Sequence, residues 1–281
     1  MIFIEGSSFR MGSERFYPEE RPVRDARAES FWMDETPVTN AAFARFVEKT
    51  GYVTLAEAAA VGLPYAGSSV FKRPATAVNL SDPSQWWEFV EGACWRRPLG
   101  RDSGIEGLED HPVVHIAYED ALAYAAWAGK QLPTEAEWEL AARAGLDGAD
   151  YAWGTDLAPG GEMLANYWQG NFPHENTLLD GWERTSPVGA FPGNAFGLLD
   201  MIGNVWEWTA DAWMLPGGAA AGKPTCCGAA QGRAVAVPQK VLKGGSHLCA
   251  LNYCQRYRPA ARHPQPVDSP ASHIGFRCVI R

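Results

Sequence analysis

Two cysteines five residues apart, Cys249 and Cys254, lie in the run KGGSHLCALNYC, behind a Gly244-Gly245-Ser246 turn and ahead of Arg256, Arg258 and Arg262. At this spacing a thiol pair can close a disulfide, supply half of a zinc site, or sit as two small buried hydrophobes, and spacing alone does not choose. A zinc site usually wants four ligands, and no second CxxC or neighbouring Cys/His cluster supplies them. His247, two residues before Cys249, does not complete the set. A second pair of chemical interest, His111 and His115 in HPVVHIAY, has the four-residue spacing of a helical ligand pair. Pro112 followed by Val113 and Val114 favours extended backbone instead. On a strand the two rings would stand about 13 Å apart at roughly 3.3 Å per residue, too far to share one ion. They are expected to be hydrogen-bonding, structural histidines.

The 281 residues can bury a sizeable core and suit one domain, since no repeat, charge block or Pro-rich linker divides them. A net charge of -9 argues against nucleic acid or an anionic membrane surface as the main partner and suits a locally basic peptide. The start, MIFIEGSSFRMGS, lacks a basic region with a long apolar run, and no stretch of about 18 apolar residues occurs anywhere. The expectation is a soluble cytoplasmic protein. Six cysteines are too few for a disulfide-built scaffold of this length, so Cys94, Cys226, Cys227 and Cys278 read as inert thiols. The 12 Trp, 29 Gly and 20 Pro point to a loop-rich globule whose irregular backbone is covered by large rings.

The elements that must position these residues are few. IFIEG, FRMGS and FWMDE read as short strands, with the polar EERPVRDARAES between the last two. Thr39 caps a helix with Phe43, Phe46 and Val47 on one face and a stop at Gly51. Residues 52 to 110 show almost no periodicity and read as one long irregular segment, of the kind that is functional or clamped by neighbours. A helix over EDALAYAAWAG ends at Gly129. KQLPTEAEWELAARAG carries a capping box of Thr134 and Glu137, an apolar face of Trp138, Ala141 and Ala142, and a stop at Gly145. Beyond residue 146 no long helix is expected, and residues 216 to 238 read as a surface loop.

The blocks FRMGS, PVTNAAFARFV, HPVVHIAYEDALAYAAWAGKQLPTEAEWELAAR, ANYWQGNFP, GNVWEWTADAW, KGGSHLCALNYCQRYRPAAR and GFRC together resemble the formylglycine-generating enzymes, or sulfatase-modifying factors, nearly end to end. The earlier blocks mark the wider superfamily, whereas SHLCALNYCQRYR resembles the segment peculiar to its catalytic oxidases. The resemblance implies an α+β, C-type-lectin-like fold with little regular secondary structure. It also implies an activity: conversion of a cysteine in a Cys-x-Pro-x-Arg motif of an unfolded sulfatase chain to formylglycine, using O2 and copper(I). Copper(I) is soft and accepts two or three thiolates, so Cys249 and Cys254 would hold it and leave room for the substrate cysteine. Removal of a hydrogen from the substrate's beta carbon would lead to a thioaldehyde that hydrolyses.

By the same resemblance Ser246, Trp206, Tyr253 and His273 line the pocket. Each has a plainer role, Ser246 as a polar turn residue and Trp206 as core. Two structural calcium sites are also implied. One takes Asn166 and Asp180 with the carbonyls of Tyr167 and Trp182; the other takes Asp200 and Glu207 with the carbonyls of Gly203 and Val205. These are oxygen donors in Gly-rich, irregular stretches, as a hard cation requires, though solvated loop acids are the plainer reading. Relatives of the eukaryotic secretory pathway carry extra disulfides at positions held here by Pro259 and Cys278, with Ala126 and Ala142 near where partners would stand. Their absence fits a reducing cytoplasm and a bacterial-type enzyme, which is expected to act as a monomer. Three rivals stand beside this reading: a non-catalytic paralogue, which should lack one thiol; an iron-dependent sulfoxide synthase, which resembles two-domain proteins with an added helical bundle; and a zinc hydrolase.

Overall fold

The structure, a computed structural model, describes residues 1–58, 65–214 and 237–281. The Cys226-Cys227 pair and nearly all of the expected surface loop lie outside the described residues. The three short N-terminal strands form as expected: β1 (Ile2–Ile4), β2 (Ser7–Met11) and, after β3 (Arg24–Ala28), β4 (Phe31–Met33). β3 lies within the polar EERPVRDARAES: Asp25 and Arg27 face solvent, and the inward positions hold Arg24 and two small alanines, which give little apolar signal. It pairs antiparallel with β2, Phe9 opposite Ala26. β1 and the C-terminal strand flank β4, with Met33 facing Ile2 on one side and Val279 on the other, so the two ends of the chain close on one sheet.

α1 (Asn40–Thr50) starts where Thr39 Oγ1 accepts the Ala42 amide and ends at left-handed Gly51. Residues 52–110 are more regular than expected. They hold α2 (Leu55–Ala58) and an antiparallel pair, β5 (Gly67–Phe71) with β6 (Trp87–Glu91). Tertiary contact makes β5: Ser68 Oγ donates to the Pro270 carbonyl at 2.8 Å, and Ser272 Oγ accepts the Phe71 amide at 3.1 Å. A Cβ on Gly67 would stand 2.3 Å from the Val90 carbonyl oxygen, so the close pairing needs glycine rather than an alternating apolar face.

α3 (Tyr118–Trp127) and α4 (Glu135–Arg143) follow. Thr134 and Glu137 form the reciprocal capping box, and left-handed Ala144, one residue before the expected stop, caps the other end. α4 packs on the sheet that carries the site, ordered β10 (Ile274–Gly275), β7 (Trp206–Ala212), β8 (Gln239–Lys243), β9 (Arg262–Pro266), with β10 parallel to β7 and the rest antiparallel. A main core joins residues from Ile4 to Val279 around fully buried Trp95, Trp138, Trp206 and Trp208. A smaller cluster of Phe71, Trp86, Trp168, Phe172, Leu248 and Ala250 lies beside the thiol segment.

α4 also buries charge. Glu139 accepts from Lys243 at 2.8 Å, from Arg143 at 2.7 Å and from the Gly12 amide at 2.7 Å. Burial pushes its carboxyl up, but the two cations outweigh that and hold it below the usual range. The network ties the end of β8 to the helix, and the site begins at the next residue.

Candidate active site

β8 ends at Lys243, and the chain turns through Gly244 and Gly245 with φ of +89° and +73°. Neither position accepts a side chain, since a Cβ on Gly244 would meet the Met201 carbonyl oxygen at 2.9 Å and the Trp138 ring at the same distance. The turn delivers Ser246 and His247 into the interior, where the His247 amide and Nδ1 both bond the Asn204 carbonyl, at 3.0 and 2.8 Å. Burial lowers the His247 pKa to about 4, so its ring is neutral.

A tight loop then brings the two cysteines together. The Cys249 amide donates to the Ser246 carbonyl at 2.9 Å, and the Cys254 amide donates to the Ala250 carbonyl at 2.9 Å. Trp168 pairs with the same loop through its amide to the Cys249 carbonyl at 3.0 Å. Cys249 Sγ and Cys254 Sγ are 3.5 Å apart, unbridged, and each residue is 2% exposed. Disulfide sulfurs lie about 2.05 Å apart, so this separation is that of two thiols facing one another. A pair of adjacent soft donors fits a soft ion of low coordination number. Among the described residues no three or more His, Cys, Asp or Glu side chains are gathered into one cluster.

The other expected pocket residues converge from separate elements. The Trp206 amide at the start of β7 donates to the His273 carbonyl before β10, at 2.9 Å. His273 is fully buried, and burial drives its pKa well below the usual histidine value, so the ring is neutral. Among the described residues neither of its ring nitrogens has a hydrogen-bond partner, nor does Trp206 Nε1. Unmatched polar atoms in fully buried side chains mark a place for water or a ligand. Trp87 covers His273, ring centroids 4.8 Å apart. Tyr253 stacks on Phe172 at 4.7 Å and meets Trp86 edge-on at 5.5 Å, forming an aromatic wall beside the thiols. Ser246 is fully buried, and its Oγ accepts the Leu248 amide at 3.3 Å.

His111 and His115 do not join the site. His111 Nδ1 bonds Thr185 Oγ1 at 3.0 Å, while His115 bonds Ser68 Oγ at 2.8 Å and the Pro98 carbonyl at 2.9 Å. Both are structural histidines, as expected, though their segment forms no regular strand and His115 has a φ of +63°.

Of the two oxygen-rich clusters, the first centres on Asp180, whose carboxylate accepts three N–H donors, one of them Gln169 Nε2 at 2.8 Å. Asp180 gathers the amides of Tyr167 at 3.1 Å and Trp182 at 2.9 Å, which draws all three residues together beside Asn166. Burial raises the Asp180 pKa. In the second, Asp200 accepts the Gly189 amide at 2.7 Å, but Glu207 is already engaged: Arg277 Nε reaches it at 2.8 Å and Trp138 Nε1 at 2.7 Å. A cation at Glu207 therefore shares the carboxylate with a buried guanidinium.

Of the three arginines after the thiols, Arg262 donates to Glu135 at 2.9 Å, whereas Arg256 and Arg258 find their partners in residues 16–20. Arg258 lies over the Phe16 ring at 3.6 Å and bonds Glu20 at 2.8 Å; Arg256 lies over the Tyr17 ring at 3.8 Å and pairs with Glu19. Gln255 donates its amide to the Tyr17 hydroxyl at 2.9 Å. The run FYPEE offered aromatic and acidic residues, but nothing in it indicated contact with a segment more than 230 positions away.

The sulfatase-modifying factor enzyme 1-like domain model matches residues 1–281. The chain is 53% identical to the formylglycine-generating enzyme of Mycobacterium tuberculosis, covering 99% of this chain and 97% of that protein. It is 47% identical to the enzyme of the same name from Thermomonospora curvata, covering 99% and 92%. In three dimensions it superposes on PvdO from Pseudomonas aeruginosa with a TM-score of 0.65 and 25% identity, over 99% of this chain and 93% of that one. The unbridged thiol pair thus sits on the fold of its relatives, and the chain belongs to the sulfatase-modifying factor family.

Proposed function

We propose that the protein is an oxidase that converts the cysteine of a Cys-x-Pro-x-Arg motif in an unfolded sulfatase chain to formylglycine, with O2 as co-substrate and copper(I) at Cys249 and Cys254. The single observation that carries the reading is the reduced, buried thiol pair with sulfurs 3.5 Å apart. Copper(I) bound there supplies a soft, electron-rich centre with room for the substrate thiolate.

The protein's own groups do the rest. The Gly244-Gly245 turn and the Trp168 pairing anchor the backbone of the loop that carries both cysteines. Trp206 Nε1 and the neutral His273 ring are buried groups with hydrogen-bonding capacity left over among the described residues. Ser246 borders the thiols, and the Tyr253 ring forms a wall against which the substrate peptide can pack. The overall charge of -9 suits a motif that ends in arginine.

Calcium is proposed as a structural ion, first at Asn166, Asp180 and the carbonyls of Tyr167 and Trp182, and second at Asp200, Glu207 and the carbonyls of Gly203 and Val205. A monomer acting in the cytoplasm completes the proposal; no helix among the described residues is long and apolar enough to cross a membrane. A non-catalytic role is disfavoured by the presence of both thiols.

The test is mass spectrometry of a Cys-x-Pro-x-Arg peptide incubated with enzyme, copper(I) and oxygen. The wild type should form the aldehyde, and Cys249→Ser and Cys254→Ser should not. Aldehyde formation that survives in both variants would overturn the mechanism.

A further inference from the structure

Arg256 is placed unlike the other arginines of its segment. Its guanidinium stacks on Tyr17 at 3.8 Å, pairs with the Glu19 carboxylate, and directs Nη1 at Cys254 Sγ at 3.6 Å. Its side chain is 7% exposed and that of Glu19 16%. Neighbouring Arg258 makes the same kind of clamp, over Phe16 and onto Glu20, and directs its Nε to the Gln255 carbonyl at 2.7 Å instead of a sulfur. The clamp alone therefore does not require a guanidinium at the thiol.

Two neutral thiols that take up one copper(I) ion release two protons, so the buried site changes from charge 0 to -1. Forming a net negative centre where both donors are 2% exposed is costly unless a cation stands beside it. Arg256 is such a cation, held by the Tyr17 ring from below. Glu19 fixes its direction but opposes its charge.

We infer that Arg256 is a positioning residue that sets the copper(I) affinity of the Cys249–Cys254 pair by orienting Cys254 Sγ and balancing the charge of the bis-thiolate, with Glu19 tuning it downward. This rests on the copper reading above. If Arg256 only held the loop in place, removing either member of its ion pair would loosen the site. If it balances charge, the two removals have opposite effects.

The experiment titrates copper(I) into purified full-length protein against a chromophoric chelator, for wild type, Arg256→Gln, Arg256→Lys, Glu19→Gln and Cys249→Ser, with thermal melts of each metal-free protein alongside. Arg256→Gln should weaken affinity by roughly 10-fold or more, in the range seen when groups behind metal ligands are removed. Arg256→Lys keeps the charge and should recover part of the loss. Glu19→Gln should tighten binding by roughly two- to fivefold, the worth of a partly exposed ion pair. Weaker binding in both Arg256→Gln and Glu19→Gln, or unchanged binding in either, overturns the inference. Should Arg256→Gln fail to fold, Glu19→Gln and Arg256→Lys decide it by the same signs. Wild type binding no better than Cys249→Ser would instead remove the copper reading, and this inference with it.

Discussion

Gly245 lies flat against the backbone of Arg256, so close that a Cβ on it would fall 2.5 Å from the Arg256 carbonyl oxygen and 2.7 Å from the Tyr257 nitrogen. Both atoms are backbone and cannot swing aside, and the glycine φ of +73° is itself unfavourable to an L side chain. Gly245→Ala should therefore cost about 2 kcal/mol or more of stability and displace the loop that carries both cysteines. Urea denaturation measures the first effect and copper(I) titration the second; an unchanged midpoint would show that the turn can relax.

Asp120 gives a pH signature far from the thiols. Its Oδ1 accepts from Tyr52 Oη at 3.1 Å and the Leu55 amide at 3.0 Å, and its Oδ2 from the Ala117 amide at 2.9 Å. Burial nevertheless outweighs these bonds and raises its pKa from 3.8 to about 6. The folded state thus holds this proton more tightly than the unfolded chain does. Its contribution to stability is full below pH 4 and is lost as pH rises through about 6, on the order of 2–3 kcal/mol in all. Urea midpoints across that window should show the fall in wild type and not in Asp120→Asn; parallel pH profiles would refute the assignment.

The first of the two proposed calcium sites predicts a linkage effect. An ion that binds only the folded protein adds about 2.7 kcal/mol when present at 100 times its dissociation constant. Calcium should raise the melting temperature, chelation should reverse it, and Asp180→Ala should abolish most of the response because Asp180 is the only carboxylate among that site's four donor residues. A melting temperature indifferent to chelator would count against both sites.

Local chemistry wrote part of this structure directly. The Thr39 cap with Gly51, and the Thr134–Glu137 box, are contacts between residues three or four positions apart or at a helix end, so their sequences announce them. The thiol pair was equally visible as a pair, and the blocks around it were enough to indicate the family. The nearness in space of the two cysteines did not need a distant partner, because the loop between them is only four residues long.

What the sequence left open was every choice made by long-range contact. Two thiols five residues apart are compatible with a disulfide, a half-site or inert packing; only the folded loop, with sulfurs 3.5 Å apart and unbridged, narrows that to facing donors. β5 has no periodicity of its own; it pairs along its length with β6 and is held on its other edge by residues 270–272. The same holds for Arg256, whose charge was plain in the sequence but whose meaning lies with Tyr17 and Glu19 at the other end of the chain. Short-range caps are fixed by local geometry, whereas the environment of a buried charge is set by whatever the fold brings against it.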